Sequence, residues 1–364
     1  MKTKKNKKVL LAMSSGIDSS SSLIILKNLG YEVIGVSFFL PIWTPNKNQT
    51  KEIYQKKKED FLKLKKWVKD LGFKHYLFDL RKDFEKIVVN YFLKSYQKGL
   101  TPNPCVYCNY YFKFHYLLKL AQKFKTDFIA TGHYARILYD SKNKKYLLLK
   151  AKDKQKDQSY YLCFLNQKIL KKTIFPVGNY TKKEIYKLAH LYNWPFKAEY
   201  RESQDFCYLS FASVNDFLSS KLKSQKGLII DKETKEKLGY HNGFFLFTLG
   251  QRKGLYLNQG PYYVLEIDPF KNIIYVTKNR KLLLKKEITL SPYRLITGEK
   301  IKNPILAEVK IRSQQKSIKS QISPYKKGLK ITALKNNFFA PTPGQIAVFY
   351  QKDLVLGGGI INKI

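Results

Sequence analysis

The four cysteines are the side chains in this sequence that could support the largest number of different chemistries. Cys105 and Cys108 lie three positions apart in the stretch TPNPCVYCNYYFKF, whereas Cys163 and Cys207 stand alone. A pair with this spacing can be half of a zinc site, a redox dithiol, part of an iron–sulfur ligand set, or a nucleophile beside an unrelated thiol. Because the spacing fits all four chemistries, the choice depends on other segments of the chain.

A second chemical feature is the stretch AMSSGIDSS, which lies between a predicted strand and a predicted helix. Small residues there let backbone N–H groups approach phosphate oxygens, although a serine-rich helix cap is the alternative. No lysine follows the glycine, so this is not the G-x-x-x-x-G-K-[ST] loop. It resembles the S-G-G-x-D-S loop of the PP-loop ATP pyrophosphatases through Ser14, Gly16, Asp18 and Ser19. Ser15 replaces that family's first glycine, and a positive φ there would cost about 1–2 kcal/mol.

The scaffold for these segments follows from the alternation of strand and helix patterns over residues 1–212. Strands are expected in KKVLLAM, YEVIGVSFFL, KHYLFDL and DFIATGHYA, with helices between them and another helix over residues 112–124. The sequence TKKE at residues 181–184 predicts a capped helix start. This α/β pattern predicts a doubly wound parallel sheet with helices on both faces and ligands at the carboxyl ends of its strands.

After residue 212 the pattern changes to short strands separated by glycines and turn residues. VNDFLSSKL predicts one short helix, while GFFLFTLGQRKGL, YYVLEID and NIIYVT are typical of strands. We therefore predict three domains: a PP-loop catalytic domain at residues 1–212, a small central β-rich domain at residues 213–284, and a C-terminal β-barrel at residues 285–364.

Composition permits an RNA partner without requiring one. The 364-residue chain has a formal net charge of +41, but only seven of its 68 basic residues are arginines. Compositional drift toward lysine on a solvated surface accounts for most of that excess. No stretch approaches the roughly 20 apolar residues of a membrane span. Four cysteines without a disulfide-like framework favour a reducing compartment, so we expect a cytoplasmic protein with no membrane partner.

Six segments occur in the same order as in the tRNA-specific 2-thiouridylases, which the chain resembles from about residue 7 onward. They are TPNPCVYCNYYFKF, TGHYAR, KDQSYYL, SQDFCYL, GQRKGL and TPGQIAVFY followed by LGGGII. The resemblance implies ATP-dependent 2-thiolation of the wobble uridine, position 34, of tRNA. ATP and Mg²⁺ would adenylate the C2 oxygen of the base and release pyrophosphate, because a carbonyl oxygen is otherwise a poor leaving group. Sulfur would then displace AMP.

The resemblance also implies roles for individual residues. Cys108 would be the nucleophile and Cys207 the carrier of a persulfide, and the two would be left as a disulfide. A sulfur-donor protein, such as a cysteine desulfurase or a sulfur relay, would load the persulfide. The ATP-binding residues would be Ala12, Met13, Ser14, Ser15, Gly16, Ile17, Asp18, Ser19, Phe38 and Gly132. The residues that contact tRNA would be Asn103, Pro104, Cys105, Lys156, Asp157, Gln158, Arg312 and Ser313.

Cys105 departs from the pattern of many family members, which have aspartate at this position. With Cys108 and Cys207 it could hold three irons of a [4Fe–4S] cluster, whose fourth iron would bind the sulfide that is transferred. The sequence leaves the persulfide and cluster routes open. Zinc is disfavoured, because no second C-x-x-C and no paired histidines complete a ligand set.

Two other functions stay open on the sequence. A PP-loop ligase or amidating enzyme acting on a small metabolite would need neither the cysteines nor the β-rich C-terminal part. A tRNA-binding protein with decayed catalysis is suggested by Ser15 and the lysine excess, and opposed by the intact loop aspartate. Cys163 is typical of a small buried hydrophobe, and the aromatics beside the cysteines are typical of a core. Gln251, Arg252 and Lys253 form either an RNA clamp or a structural turn.

Overall fold

The computed structural model describes residues 7–196, 206–209, 212–258 and 260–362, so motif residues 203–205 lie outside the described part. In chain order the strands are β1 Lys8–Ala12, β2 Glu32–Phe39, β3 Lys74–Asp79, β4 Phe128–Thr131, β5 Ala135–Asp140, β6 Lys145–Lys150, β7 Thr173–Ile174, β8 Gly227–Asp231, β9 Lys237–His241, β10 Tyr263–Asp268, β11 Ile273–Thr277, β12 Leu284–Lys285, β13 Glu287–Leu295, β14 Ile305–Lys310, β15 Ile318–Tyr325, β16 Gly328–Ala333, β17 Phe338–Phe339, β18 Ile346–Gln351 and β19 Leu354–Ile361.

Two of the helices contain a π turn. The helices are α1 Ile17–Asn28; α2 Lys47–Asp70; α3, continuous through Arg81–Phe84, the π turn Glu85–Val89 and Asn90–Gln97; α4, continuous through Pro104–Cys108, the π turn Asn109–Lys113 and Phe114–Lys123; α5 Gln167–Leu170; α6 Lys182–Leu191; and α7 Val214–Lys221. Within the described ranges no helix has both the length and the hydrophobicity needed to cross a membrane.

The N-terminal sheet is parallel and has the strand order β3-β2-β1-β4-β7. Alternate residues of β1 face opposite sides of it: Val9 and Leu11 pack with α1 and α2, whereas Leu10 packs with Phe114 and Leu117 of α4. Helices therefore cover both faces, and the prediction of a doubly wound α/β sheet is confirmed. The capped start predicted at Thr181 is also confirmed, as the first turn of α6.

Helix α4 begins at Pro104 rather than at residue 112, where the sequence predicted it. Proline suits the first helical position, since its φ is fixed and its missing N–H would have no partner there. The Asn103 side chain caps the helix by accepting a hydrogen bond from the Val106 N–H at 3.1 Å. Both cysteines of the C-x-x-C pair consequently lie on the opening turns of a helix.

The central domain has a sheet of order β10-β11-β8-β9 and the short predicted helix, α7, closed by a capping box between Ser213 and Asp216. The strand predicted in GFFLFTLGQRKGL is wrong. Over residues 243–255, all of them described, the structure has a 3₁₀ turn at Phe244–Leu246 followed by a loop. Gly243 and Gly250 have positive φ in this stretch, so glycine-directed turns override its hydrophobic pattern.

The C-terminal domain is a closed six-stranded barrel, because the order β13-β16-β15-β14-β18-β19 returns to β13. Hairpin β5–β6 extends the barrel sheet by pairing β6 with β19. The hairpin belongs to the predicted catalytic domain, so the two domains share one sheet. They also share a core, in which Tyr160 and Leu162 meet Ile346 and Val348. The barrel is thereby fixed to the nucleotide domain.

Cys163 lies fully buried in this shared core, as predicted for a small hydrophobe. The packing around the thiol is close, since a Cβ on Gly358 of β19 would lie only 2.9 Å from Cys163 Sγ. The aromatics beside the other cysteines are also largely core residues, since Phe112, Phe206 and Tyr208 are buried.

Gly178→Ala is expected to destabilise the contact that holds β5 in place. An ideal Cβ at Gly178 would lie 1.8 Å from the Ala135 carbonyl oxygen, so the backbone must move apart. Such overpacking should lower the free energy of unfolding by about 1–3 kcal/mol, measured by urea denaturation. Gly239→Ala is the control, since its Cβ would meet nothing nearer than the Leu257 side chain at 3.4 Å. Equal stability of the two variants would contradict the close packing.

Candidate active site

The phosphate loop between β1 and α1 is closed by hydrogen bonds among its own residues. The Ser14 N–H donates to Ser19 Oγ at 3.0 Å, and Ser19 Oγ donates to the Gly16 carbonyl at 3.0 Å. Ser15 does not adopt positive φ, so it occupies the family's glycine position without backbone strain. No side chain caps the described start of α1, which leaves its first N–H groups for phosphate oxygens. Of the other loop residues, Met13 and Ile17 are buried and Ala12 is half-buried. The Met13 backbone is held by β2, because its N–H donates to the Val36 carbonyl at 2.8 Å and its carbonyl accepts from Ser37 Oγ at 3.0 Å.

Asp18, the acidic residue of this loop, is bound by two side chains from elsewhere in the fold. The Tyr134 hydroxyl donates to Asp18 Oδ1 at 2.8 Å. Lys182 Nζ lies 2.8 Å from Oδ1 and 2.9 Å from Oδ2. Lys182 and Tyr134 are both buried, so the loop carboxylate is tied firmly to α6 and to the connection between β4 and β5.

Gly132 and Phe38, both predicted to contact the nucleotide, lie at the carboxyl edge of the parallel sheet. A Cβ on Gly132 would be 2.8 Å from the Ser19 nitrogen, so only glycine lets β4 approach the start of α1 this closely. Phe38, near the end of β2, packs edge to face on Phe112 of α4 with ring centroids 6.3 Å apart. One residue therefore borders the phosphate loop and the other borders the cysteine helix.

An aromatic cluster brings Cys207 to Cys108. Cys207 follows buried Phe206, whose ring centroid is 6.2 Å from that of Phe84. Phe84 in turn packs edge to face on Phe112 at 5.2 Å, and Phe112 lies on α4, one turn beyond Cys108. The segment 206–209 is thereby held against the cysteine helix. The two thiols, distant in sequence, are near enough in the fold that charge on Cys207 raises the pKa of Cys108.

Burial raises the pKa of the Cys108 thiol, and Cys207 and Cys105 add to the increase. The Lys113 ammonium and backbone N–H act in the opposite direction. The protein around Cys207 also raises its pKa, although this residue is exposed to solvent, and Lys113 and Lys57 oppose that increase. Both thiols are therefore mainly protonated at neutral pH, with lysines placed to stabilise thiolates that form.

His133 links the sheet to this pair of thiols. Its Nδ1 lies 2.7 Å from Thr131 Oγ1, and its Nε2 lies 3.4 Å from Lys113 Nζ. Burial, with a smaller effect from Lys113, lowers the pKa of His133 well below its usual value, so the ring is neutral. Because an ammonium can only donate, Nε2 accepts from Lys113 and we assign the ring proton to Nδ1. His133 thus helps to orient Lys113.

Both β-rich domains hold the segment that leads into α4. Thr101 Oγ1 lies 2.7 Å from Thr248 Oγ1 of the central domain, and the Thr101 N–H donates to the Pro343 carbonyl at 2.9 Å. Gln345 Nε2 of the barrel domain donates to the Pro102 carbonyl at 3.4 Å. The three residues predicted to contact the target base follow directly from this junction: Asn103, Pro104 and Cys105.

Arg312, predicted to contact tRNA, lies at the same junction. Its guanidinium donates to Thr342 Oγ1 at 2.9 Å and to the Leu249 carbonyl at 3.4 Å, which ties the barrel to the central domain. Burial lowers the pKa of Arg312. The carbonyl of Ser313 accepts from Lys310 Nζ at 3.5 Å. The tRNA contacts of Arg312 and Ser313 stay predictions.

The turn LGQRKGL has the structural role that the sequence left open, while its contact with RNA stays a prediction. Gln251 closes it from within, since its Oε1 accepts from the Thr248 N–H at 3.1 Å and its Nε2 donates to the Lys253 carbonyl at 2.9 Å. Arg252 and Lys253 are exposed. Gln251 is therefore structural, and the two cations stand at the surface.

The predicted tRNA segment at residues 156–158 is anchored to the nucleotide domain. Gln158 donates from its N–H to the Tyr134 carbonyl at 2.8 Å and accepts from the Tyr134 N–H at 3.1 Å. Asp157 accepts from the Ala151 N–H at 2.9 Å and from Ser159 Oγ at 2.8 Å. The Lys156 N–H donates to the Asp153 carbonyl at 3.3 Å. The segment is thus a rigid turn whose Gln158 contacts the same tyrosine that binds Asp18.

The cysteines do not form a ready metal site. Within the described ranges no three His, Cys, Asp or Glu side chains are grouped to hold a metal ion, and no disulfide joins any of the cysteines. Cys105, Cys108 and Cys207 therefore do not fit a preformed [4Fe–4S] ligand set. A Mg²⁺ ion needs fewer protein ligands, because one carboxylate together with the substrate phosphates is sufficient. Asp18 can supply that carboxylate.

The parallel sheet with its serine-rich loop between β1 and α1 defines an ATP-using enzyme of the PP-loop class. Three family descriptions match the chain in order: a tRNA methyl transferase HUP domain at residues 7–211, a tRNA methyl transferase PRC-barrel domain at residues 215–278, and an aminomethyltransferase β-barrel domain at residues 285–361. The chain belongs to the tRNA-specific 2-thiouridylases, which are tRNA-modifying sulfurtransferases. The predicted family is confirmed.

The relatives match over nearly their whole length. The tRNA-specific 2-thiouridylase MnmA of Natranaerobius thermophilus is 37% identical over 98% of this chain and 97% of its own. MnmA 1 of Caldanaerobacter subterraneus subsp. tengcongensis is 39% identical over 98% of both chains. Among solved structures, the U34-tRNA thiolase NcsA of Methanococcus maripaludis with its [4Fe–4S] cluster aligns with 57% of this chain and 63% of its own, at 16% identity and a TM-score of 0.33, too distant to bear on mechanism.

Sequence reasoning did not place Lys113, His133, Tyr134 or Lys182 in the site. Each lies in or beside a stretch that the sequence marked, namely TPNPCVYCNYYFKF, TGHYAR and the capping box TKKE. The available signal was only this proximity. Their contacts depend on how the sheet, α4 and α6 pack together, which no local pattern specifies.

Gly132→Ala is expected to weaken ATP binding by roughly tenfold or more, because the new methyl group would displace the start of α1. The nearest atoms to its Cβ, Ser19 N at 2.8 Å and Asp18 C at 3.0 Å, both belong to the backbone. Equilibrium binding of ATP measures the effect, with tRNA binding and Gly239→Ala as controls. Unchanged ATP affinity in Gly132→Ala would contradict the position given to this glycine.

Proposed function

We propose that this chain thiolates the C2 position of the wobble uridine, position 34, of tRNA, with ATP as activator and a persulfide on Cys207 as the sulfur source. The observation that carries the proposal is the meeting of Cys108 and Cys207 at the carboxyl edge of the sheet that also bears the phosphate loop. His133 supports it, since this residue follows Gly132 beside the loop and contacts Lys113 beside the thiols.

In the activation step, the C2 oxygen of the uridine attacks the α-phosphorus of ATP. The bond between the α- and β-phosphates breaks, and pyrophosphate leaves with the electron pair. The N–H groups at the start of α1 and the exposed Ser14 hydroxyl donate to the phosphate oxygens, while Ser19 holds the loop closed through its bond to the Gly16 carbonyl. Asp18 would hold Mg²⁺, which supplies positive charge to the phosphates when bound. Phe38 and Gly132 border the adenosine.

In the sulfur-transfer step, the outer sulfur of the Cys207 persulfide attacks C2 of the adenylated base. The bond from C2 to oxygen breaks, and AMP leaves with that oxygen. The Cys108 thiolate then attacks Cys207 Sγ, so the sulfur–sulfur bond breaks and its electron pair stays on the sulfur attached to C2. The products are 2-thiouridine and a Cys108–Cys207 disulfide, which an external thiol reduces.

Each round needs a new persulfide on Cys207, and the exposure of this residue supports loading by a sulfur-donor protein such as a cysteine desulfurase or a relay. Because thiols must be regenerated, we place the reaction in the reducing cytoplasm. The three units proposed for the chain remain residues 1–212, 213–284 and 285–364, and the two β-rich units would grip the tRNA body. The proposed tRNA contacts are Asn103, Pro104, Cys105, Lys156, Asp157, Gln158, Arg312 and Ser313.

Cys108→Ser and Cys207→Ser are each expected to abolish 2-thiouridine while tRNA binding persists, since serine can neither carry a persulfide nor resolve one. Nucleoside mass spectrometry of tRNA measures the product, and filter binding measures the affinity for tRNA. Cys163→Ala is the matched control: this cysteine lies in the core and should be dispensable for thiolation. Product formed by either serine variant would refute the role given to that cysteine.

Cys105→Asp separates the persulfide route from the cluster route. The persulfide route predicts that this variant still thiolates tRNA, and that anaerobically purified wild-type protein holds no stoichiometric iron. Iron and sulfide analysis, together with nucleoside mass spectrometry, tests both points. Bound iron in the wild type with loss of activity in Cys105→Asp would overturn the persulfide route in favour of a cluster.

A further inference from the structure

Lys182 is a buried lysine that forms an ion pair with Asp18 of the phosphate loop, and the proposed activation and sulfur-transfer steps do not use it. The side chains of Lys182 and Asp18 are 11% and 29% exposed, and Lys182 Nζ lies within 2.9 Å of both carboxylate oxygens. Removing an ammonium from water costs several kcal/mol, which a replacement by apolar residues would avoid. Stability alone therefore does not explain why a lysine occupies this position.

Three contacts aim the ammonium at the phosphate loop. Lys182 is the first residue of α6, and its N–H donates to the Asp153 carboxylate at 3.0 Å. Its Nζ also lies 5.8 Å from the ring centroid of Tyr134 and 5.4 Å from that of Tyr186. Two aromatic faces and the Asp18 carboxylate thus surround the charge, and the capped helix start fixes the backbone behind it.

The opposite charges of Asp18 and Lys182 point to a role for this ammonium in the loop. Asp18 alone would make the loop negative and would repel a triphosphate, whereas the ion pair with Lys182 makes it neutral before ATP arrives. When a cation that accompanies ATP binds one carboxylate oxygen of Asp18, the ion pair between Lys182 and Asp18 is weakened. A lysine is a compact charge on a flexible stem, so its ammonium can turn from the carboxylate to a nearby phosphate oxygen while α6 stays in place.

We propose that Lys182 is a nucleotide-binding residue: it holds Asp18 in the free enzyme and contacts the phosphates of ATP in the complex. This inference rests on the proposed ATP-dependent activation. Tyr134, which donates to the same carboxylate from the other side, is a positioning residue for Asp18 and keeps its contact in both states.

The test compares ligands that differ only in their phosphates. Binding of α,β-methylene ATP with Mg²⁺, and of adenosine, is measured by titration calorimetry on wild type, Lys182→Met and Lys182→Gln. We expect affinity for the triphosphate to fall roughly 10- to 100-fold, the worth of a charged hydrogen bond, while affinity for adenosine changes less than about twofold. Lys183→Met is the matched control, since the neighbouring lysine is exposed on the same helix end and should bind like wild type.

Two further variants separate phosphate contact from support of the fold. Lys182→Gln keeps an N–H donor facing Asp18, so it remains informative where Lys182→Met unfolds. Tyr134→Phe keeps the buried ring and removes only the hydroxyl bond to Asp18, so it should weaken triphosphate binding less than Lys182→Gln does. Equal losses in these two variants would mean that Lys182 acts only through Asp18, and would overturn the contact with phosphate.

Other outcomes also overturn the inference. Wild-type affinity for the triphosphate in a folded Lys182→Gln protein would do so, as would equal loss of adenosine and triphosphate binding. A wild type that binds the triphosphate but releases no pyrophosphate from ATP with tRNA would instead contradict the proposed function. The two failures are thus distinguishable.

Discussion

The site depends on one short segment, residues 99–103, which is fixed on both sides before α4 begins. A Cβ on Gly99 would lie 3.2 Å from Pro269 of the central domain, and a Cβ on Gly344 of the barrel domain would lie 3.1 Å from the Thr101 backbone. Gly344 also has a φ of +91°, which favours glycine. Because these contacts are backbone to backbone or backbone to proline, they allow the segment little movement. The cysteine helix therefore starts from a fixed point relative to both β-rich domains, which is the geometry that the proposed grip of these domains on tRNA requires.

A second set of contacts joins the proposed tRNA segment to the phosphate loop. Gln158 bonds to the Tyr134 backbone, and the Tyr134 hydroxyl bonds to Asp18. Asp153 bonds to the Lys182 backbone, and the Lys182 ammonium bonds to the same Asp18 carboxylate. Two independent routes therefore end on Asp18 of the phosphate loop. In the proposed function, any coupling between tRNA and ATP that acts through Asp18 must be reciprocal: each ligand changes the affinity of the other by the same factor.

The sequence specified the parallel sheet, the strand–loop–helix position of the phosphate loop and the family well, because each rests on a local or ordered pattern; the roles of Cys108 and Cys207 stay predictions. It failed where local turn and capping residues outweigh a hydrophobic pattern, and where a contact depends on tertiary packing. The apolar run GFFLFTLGQRKGL has the composition of a strand, but Gly243 and Gly250 adopt positive φ and bend it into turns. The start of α4 was missed because proline and asparagine were not recognised as its first residue and its cap. The sequence predicted Lys182 only as part of a capping box. Its contact with Asp18 could not be predicted, because it depends on how α6 packs against the phosphate loop.

The electrostatics of the thiols sets the order in which the cysteines can act. Burial makes a thiolate costly at Cys108, and charge at Cys207 makes it more so, which means that the two sulfurs cannot easily be anionic together. Lys113 stabilises charge at either one. In the proposed persulfide route, Cys207 takes the charge first, because a persulfide is more acidic than a thiol. Once its outer sulfur has bonded to C2 that charge is gone, and Lys113 is left to stabilise the Cys108 thiolate. One cation can therefore serve attack and resolution in turn, because each step removes the charge that would have opposed the next.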